Sequence, residues 1–143
     1  MRNMSFSYTK EQIRNRTKFE TRRLGWADLK PGELFCAIEK GQGLKKGEKV
    51  TRIVVLECLD NHLEELRTIT RRSVEREGFP GMTPLEFVAM FCRRMGCKPE
   101  REVNAITFRY VLESPIPYPE KTALRYEPDV DWLRADWPPE IEP

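Results

Sequence analysis

The pattern of apolar and polar positions divides the first 113 residues into short strands and a few helices. Met4, Phe6 and Tyr8 alternate with polar neighbours, which predicts a strand with one buried face. β-branched and apolar residues are concentrated in three later segments, which predict strands over 34–39, 50–59 and 103–112. The last of these segments also alternates, so one of its faces should point inward.

Capping signals and helical periodicity predict three helices. Thr9 to Gln12 has the form of a capping box and starts a short helix that runs through about Asn15. Residues 63–77 are predicted to be mostly helical. The third helix is the best specified, because it runs from Thr83 and Pro84 to Gly96. Its predicted buried face consists of Leu85, Val88, Ala89, Cys92 and Met95, widened by Phe87 and Phe91.

Strands and short helices alternate irregularly, without repeated β-α-β units, and this order favours a small α+β barrel. A body of about 110 residues buries roughly two-thirds of its unfolded surface, which is enough for a core without disulfides or a metal. We therefore expect one domain over residues 1–113. Residues 114–143 form an acidic tail that contains tryptophan and is predicted to be extended, because it holds seven of the eleven prolines.

The charge is unevenly distributed between these two parts. The whole chain has a net charge of +2, but residues 1–113 carry +6 and residues 114–143 carry −4. A basic body can bind a polyanion, although a solvated basic surface is an equally good interpretation. The tail can lie across a basic cleft and compete with nucleic acid, or pack on the back of the barrel.

Neither a metal site nor a membrane segment is predicted. The four cysteines, Cys36, Cys58, Cys92 and Cys97, are irregularly spaced and accompany a single histidine, His62, so no zinc pattern can be assembled. Reduced thiols of this kind indicate a cytoplasmic protein. The N-terminus lacks the apolar region of a signal peptide, and no segment has about 18 consecutive apolar residues.

The segment 16–23 brings an amine, a hydroxyl and several guanidinium groups together, and Glu77 follows much later on a predicted turn. The Thr21 hydroxyl is a poor nucleophile until a base takes its proton, and Lys18 can be that base only if its pKa falls far below about 10.4. Arg22 and Arg23 would lower that pKa, whereas a nearby Glu77 would raise it. Positions three apart on a regular strand face opposite sides, so Lys18 and Thr21 converge only if the backbone between them is irregular.

Five segments in this order resemble an ASCH domain of the PUA-like superfamily: 18–23, 29–33, 77–79, 83–95 and 104–110. The resemblance implies a compact β-barrel whose cleft is lined by the first and third of these segments. It also implies an association with RNA and modified nucleosides. One branch of the family removes the acetyl group from acetylcytidine with a lysine, a threonine and a glutamate. Those positions correspond here to Lys18, Thr21 and Glu77.

Two functions are therefore expected, neither of which requires a cofactor. The first is binding of RNA or a nucleoside through Arg16, Lys18, Arg22, Arg23, Trp26, Lys45 and Lys46. The second is deacetylation of an acylated cytidine by Lys18, Thr21 and Glu77. A ribonuclease is a third option, although His62, predicted to lie in a loop, offers no pair of histidines. The alternatives without a function are an exposed ion pair of Lys18 with Glu20 or Glu77, and a Trp26 that closes the end of the barrel.

Overall fold

A computed structural model describes residues 1–41 and 44–111, and in these residues five strands form one mixed sheet. The strands are β1 (Arg2–Ser5), β2 (Glu20–Arg23), β3 (Leu34–Ile38), β4 (Arg52–Glu65) and β5 (Glu102–Val111). The helices are α1 (Lys10–Arg14), α2 (Arg71–Arg76) and α3 (Pro84–Met95), with a 3-10 turn over Leu66–Thr68. The α+β class is thus confirmed for this part of the chain. The predicted tail over 114–143 lies outside the described residues.

The order of the strands across the sheet is β1-β3-β4-β5-β2. β1 runs parallel to β3, and each of the other neighbouring pairs is antiparallel. The register between β4 and β5 shifts between Cys58 and Asp60, which marks a bulge in β4. A bulge bends its strand and increases the local twist, so β4 can follow the curl of the sheet while it pairs with β3 on one side and β5 on the other.

The helix predicted over 63–77 is wrong in its first half. β4 continues to Glu65, and only Arg71–Arg76 is α-helical in this segment. The polar residues that end β4 have little strand propensity of their own. They are extended because β5 pairs with them, from Asn61 opposite Ile106 to Glu65 opposite Glu102.

Two hydrophobic clusters form the core. The first packs the sheet against α1, and the inward residues of β5 predicted from its alternation, Ile106, Phe108 and Tyr110, belong to it. The second lies around α2 and α3 and consists of Leu66, Ile69, Val74, Phe87, Val88, Phe91 and Val103. The candidate site lies where the two clusters meet, because residues of both line its cavity.

The ends of α3 follow the sequence prediction, and its buried face does so in part. The Thr83 and Glu86 side chains form a reciprocal capping box with each other's backbone N–H groups, and Gly96 ends the helix in the left-handed conformation. The buried residues are Phe87, Val88 and Phe91, while Leu85, Ala89 and Met95 are exposed. The buried face is therefore centred on Phe87, Val88 and Phe91, which pack in the second cluster.

Candidate functional site

Lys18 lies just before β2, in a segment that is held from two sides. The Phe19 N–H donates to the carbonyl of Arg76 at 2.6 Å, and the Tyr110 hydroxyl donates to the Lys18 carbonyl at 2.6 Å. β2 begins only at Glu20, so Lys18 is not part of a regular strand with Thr21. The irregular backbone that the two side chains require is therefore present, and both line one cavity.

Glu77 is the residue that ends α2. Its N–H donates to the Ser73 carbonyl, and Gly78 follows with φ +106°. A positive φ of this kind is readily adopted only by glycine, so the chain can turn here and leave the Glu77 side chain facing the sheet. The Gln12 amide donates to the Gly78 carbonyl at 3.2 Å, which ties the turn to α1.

Lys18 and Glu77 form a buried ion pair across 59 residues of sequence. The Lys18 Nζ donates to Glu77 Oε1 at 2.7 Å and to the Glu77 carbonyl at 2.7 Å. Their side chains are only 3% and 4% exposed, so the alternative prediction of a solvent-exposed ion pair at Lys18 is wrong. Burial lowers the pKa of Lys18, Glu77 acts in the opposite direction, and Arg23 and Arg22 lower it further.

Arg22 is held by three carboxylates. Its guanidinium lies 3.0 Å from Glu20, 2.9 Å from Glu64 and 3.2 Å from Glu77. Burial opposes its charge, but Glu77, Glu20 and Glu64 together raise the pKa of Arg22. The guanidinium therefore positions Glu77 and has little capacity left for a phosphate.

Arg23 and Thr21 lie on the opposite face of β2 from Arg22. The Arg23 Nε donates to Thr21 Oγ1 at 3.0 Å, and its guanidinium stacks over the Phe6 ring at 4.6 Å. Burial lowers the pKa of Arg23 to about 10, so the side chain remains charged at neutral pH. Since Arg23 uses an acceptor site of the hydroxyl, the proton of Thr21 is free to be donated to a base or ligand.

The side chains of Lys18, Thr21, Arg22, Arg23 and Glu77 line one cavity of about 630 Å³. The cavity lies between the two core clusters and takes walls from both. Its polar wall comes from β1, β2, the segment before β2 and the end of α2, and these five residues belong to it. Its apolar wall is formed by Phe79, Phe87, Met90, Phe91 and Met95.

The other predicted binding residues do not line this cavity. Trp26 packs on the first core cluster, with its ring 6.4 Å from that of Phe35 and under the guanidinium of Arg2. Arg16 stacks over Tyr110, with its guanidinium carbon 5.6 Å from the ring centroid. Lys45 and Lys46 are exposed in the loop before β4. A single basic surface that joins these residues to Lys18 is not seen in the described residues.

Sequence reasoning missed the apolar wall and the carboxylates around Arg22. Phe87 and Phe91 were assigned to a core face and do belong to the second cluster, but their helical spacing gave no sign that they also line the cavity, and Met95 of the same series is exposed. Glu20 was considered only as a partner of Lys18, although it stands two residues from Arg22, where side chains on a strand share a face. The contact of Glu64 with Arg22 could not be predicted, because residues 63–77 were predicted to be helical and Glu64 lies on β4.

His62 lies on β4 and not in a loop, and it is outside the cavity lining. Its two ring nitrogens lie 2.7 Å from Asp60 and 3.0 Å from Glu64. A neutral imidazole can donate from only one nitrogen, so two carboxylates favour the protonated form. The hydrogen bonds to Asp60 and Glu64 accordingly raise the pKa of His62.

Cys36 and Cys58 are buried free thiols, as expected. Within residues 1–41 and 44–111, no cluster of His, Cys, Asp or Glu is arranged to hold a metal ion. The same residues contain no helix that is long and apolar enough to cross a membrane.

Comparison with known proteins finds similarity to solved structures only, and it is distant. No family model matches the sequence, and no curated protein matches it. Among solved structures, the chain is similar to protein EF3133 from Enterococcus faecalis V583, whose description names the family DUF984. The two are 10% identical, with a TM-score of 0.48 over 71% of this chain and 68% of the other.

Proposed function

We propose that the cavity binds a nucleoside-sized ligand, with the base between the aromatic wall and the buried polar wall. The observation that carries the proposal is the cavity itself. Its volume of about 630 Å³ is that of a small-molecule site. One wall offers flat apolar rings and the other offers an amine, a hydroxyl and a carboxylate, which is the combination that a nucleobase requires. The resemblance of segments 18–23 and 77–79 to an ASCH domain supports the same ligand class.

A single nucleoside fits these observations better than a long RNA strand. Binding along a strand requires free cations in a row, each of which releases a counterion from a phosphate. Here Arg22 is neutralised by carboxylates, and Lys45 and Lys46 lie outside the cavity. We therefore expect the affinity to depend only weakly on salt. A loss of affinity of about a hundredfold between 50 and 200 mM salt is the expectation for about five phosphate contacts, and it would favour binding along an RNA strand instead.

The test is a calorimetric titration with cytidine, acetylcytidine and uridine. Phe79→Ala removes an aromatic ring from the cavity wall and should weaken binding by about 5- to 150-fold, since stacking on one base contributes about 1–3 kcal/mol. Trp26→Ala removes a ring that lies outside the cavity and is the matched control. Circular dichroism checks that both variants fold. Failure of every nucleoside to bind, or an equal loss in both variants, would contradict the proposal.

Deacetylation of an acylated cytidine is a second candidate, supported by one specific observation. Lys18 and Thr21 share the cavity, and the 2.7 Å hydrogen bond from Lys18 Nζ to Glu77 Oε1 provides a route for a proton. Transfer of that proton would leave a neutral amine and a carboxylic acid. The amine can then take the Thr21 proton as the hydroxyl attacks the acetyl carbon, and Glu77 can give its proton to the leaving amine of cytidine. This leaves the acetyl group as an ester on Thr21, and attack of a water molecule on that ester releases acetate and restores the hydroxyl.

This candidate is tested by measuring acetate released from acetylcytidine. Thr21→Ala and Lys18→Ala should each abolish turnover, whereas Thr17→Ala should leave it unchanged because the Thr17 side chain is exposed and bonds only Asn15. Thr17 lies in the same segment as the proposed nucleophile, so it controls for local perturbation. Turnover that survives Thr21→Ala would exclude the threonine as nucleophile.

A further inference from the structure

The positive charge that lines the cavity is only partly neutralised by neighbouring carboxylates. Five cationic side chains and one carboxylate contribute to the lining: Lys18, Arg22, Arg23, Lys40, Arg94 and Glu77. Three of the cations have carboxylate partners. Lys18 and Arg22 bond Glu77, and Lys40 lies 3.6 Å from Glu48. Arg23 and Arg94 form no salt bridge with any residue that the structure describes.

Both of these arginines are oriented by aromatic rings instead. Arg23 stacks over Phe6 at 4.6 Å, and Arg94 stacks over Tyr8 at 4.1 Å, measured from the guanidinium carbon to the ring centroid. Phe6 and Tyr8 are two residues apart, immediately after β1, and both also line the cavity. Two separate elements, β2 and the last turn of α3, thus bring an arginine to the same short segment.

A guanidinium that stacks on a ring keeps its in-plane N–H donors for another partner. Arg23 donates only its Nε, to Thr21, and the donors of Arg94 have no hydrogen-bond partner among residues 1–41 and 44–111. Arg23 is partly buried and has lost some of its water, and Glu77, the carboxylate that acts on its charge, is bonded to Lys18 and Arg22 instead. Arg94 is exposed, so its N–H donors remain accessible to a ligand. An anion in the cavity would therefore give Arg23 a bonded counter-charge and could be shared with Arg94.

We propose that Arg23 and Arg94 form an anion subsite that receives the phosphate group of a nucleoside monophosphate. This inference rests on the proposed function and makes the ligand a nucleotide rather than a free nucleoside. A phosphate monoester carries a charge of about −1.5 to −2, which matches two guanidinium groups, whereas a carboxylate would neutralise only one. Its three terminal oxygens can accept paired hydrogen bonds from both arginines.

The test compares the affinity of the full chain for cytidine, the 5′- and 3′-monophosphates of cytidine, and inorganic phosphate by calorimetry. At least one monophosphate should bind tenfold or more tightly than cytidine, because each charge-assisted hydrogen bond contributes about a factor of ten. Arg94→Gln should remove most of this advantage and leave the affinity for cytidine itself within about twofold. Arg67→Gln, in an exposed arginine whose partner is Glu65, is the matched control and should keep the advantage.

Arg23→Gln should also remove most of the advantage of the monophosphate over cytidine. Because Arg23 is partly buried and contacts Thr21, its variant is first checked for folding. If Arg23→Gln unfolds, the result for the exposed Arg94→Gln variant decides the test. Equal affinities for cytidine and both monophosphates would overturn the subsite and leave the nucleoside pocket intact. An advantage that persists in Arg94→Gln would overturn it as well. If neither cytidine nor its phosphates bind, the proposed function itself fails.

Discussion

Replacing Glu77 by glutamine removes the carboxylate that neutralises Lys18 in the buried part of the site. Glutamine keeps the shape of the side chain and one acceptor oxygen, so the packing changes little. Arg22 would still have Glu20 and Glu64, but Lys18 would keep only uncharged acceptors, the backbone carbonyl of residue 77 and the amide oxygen of the new side chain. The variant therefore isolates the cost of one buried cation that has lost its counter-charge.

Removing one partner of a buried ion pair destabilises a protein by about 3–5 kcal/mol. That is a large part of the roughly 5–15 kcal/mol by which a domain is stable. With a urea m-value of about 1.5 kcal/mol/M, the expected loss moves the unfolding midpoint down by about 2–3 M. Urea denaturation followed by circular dichroism measures this shift directly.

An exposed ion pair of the same length provides the control. Arg67 and Glu65 lie 2.6 Å apart, but their side chains are 57% and 40% exposed, compared with 3% and 4% for Lys18 and Glu77. Glu65→Gln should leave the urea midpoint nearly unchanged, because solvent screens such a pair. The double variant Lys18→Met/Glu77→Gln should cost less than the two single changes together, since no uncompensated charge remains.

The pH dependence of the loss gives a second readout. Burial lowers the pKa of Lys18, and removing Glu77 removes the effect that opposes this. Between the lowered pKa and the unfolded value near 10.5, the unfolded chain binds more protons than the folded one, so stability rises with pH in this window. The deficit of Glu77→Gln relative to the unmodified chain should therefore shrink as the pH rises from 7 towards 10. A loss equal to that of Glu65→Gln, or a deficit that grows with pH, would refute the reasoning.

Two further predictions concern the surroundings of the site. His62 is the only histidine of the chain, so a single NMR titration can follow it. Its pKa should lie above 6.5, and Asp60→Asn should lower that pKa. A pKa at or below 6.5 would contradict the hydrogen bonds described above. Because the raised pKa favours the folded state below 6.5, the stability that His62 adds should be lost as the pH rises through its folded pKa. Gly78→Ala should destabilise the chain more than Gly81→Ala in thermal melts: both positions have positive φ, but only at Gly78 would the new Cβ lie 2.8 Å from the Gln12 side chain. Equal losses would show that φ alone sets the cost.

Local signals in the sequence were sufficient where an element is specified by its own residues. The ends of α3 followed from Thr83, Pro84 and Gly96, because a cap is a contact between residues three or four apart. The inward face of β5 followed from its alternation, since strand geometry alone places alternate residues on one side. The basic segment and its distant acid were also visible as residue types.

The tertiary structure decided everything that depends on distant partners. β4 extends to Glu65 because β5 pairs with it, and the polar residues at its end carry no strand signal of their own. Lys18 and Glu77 are a buried pair and not a solvated one because α2 and β2 are packed together, which no spacing between positions 18 and 77 reveals. The sequence determined which groups are available, but packing set their burial, and burial determines whether a charge is screened by water or requires a partner.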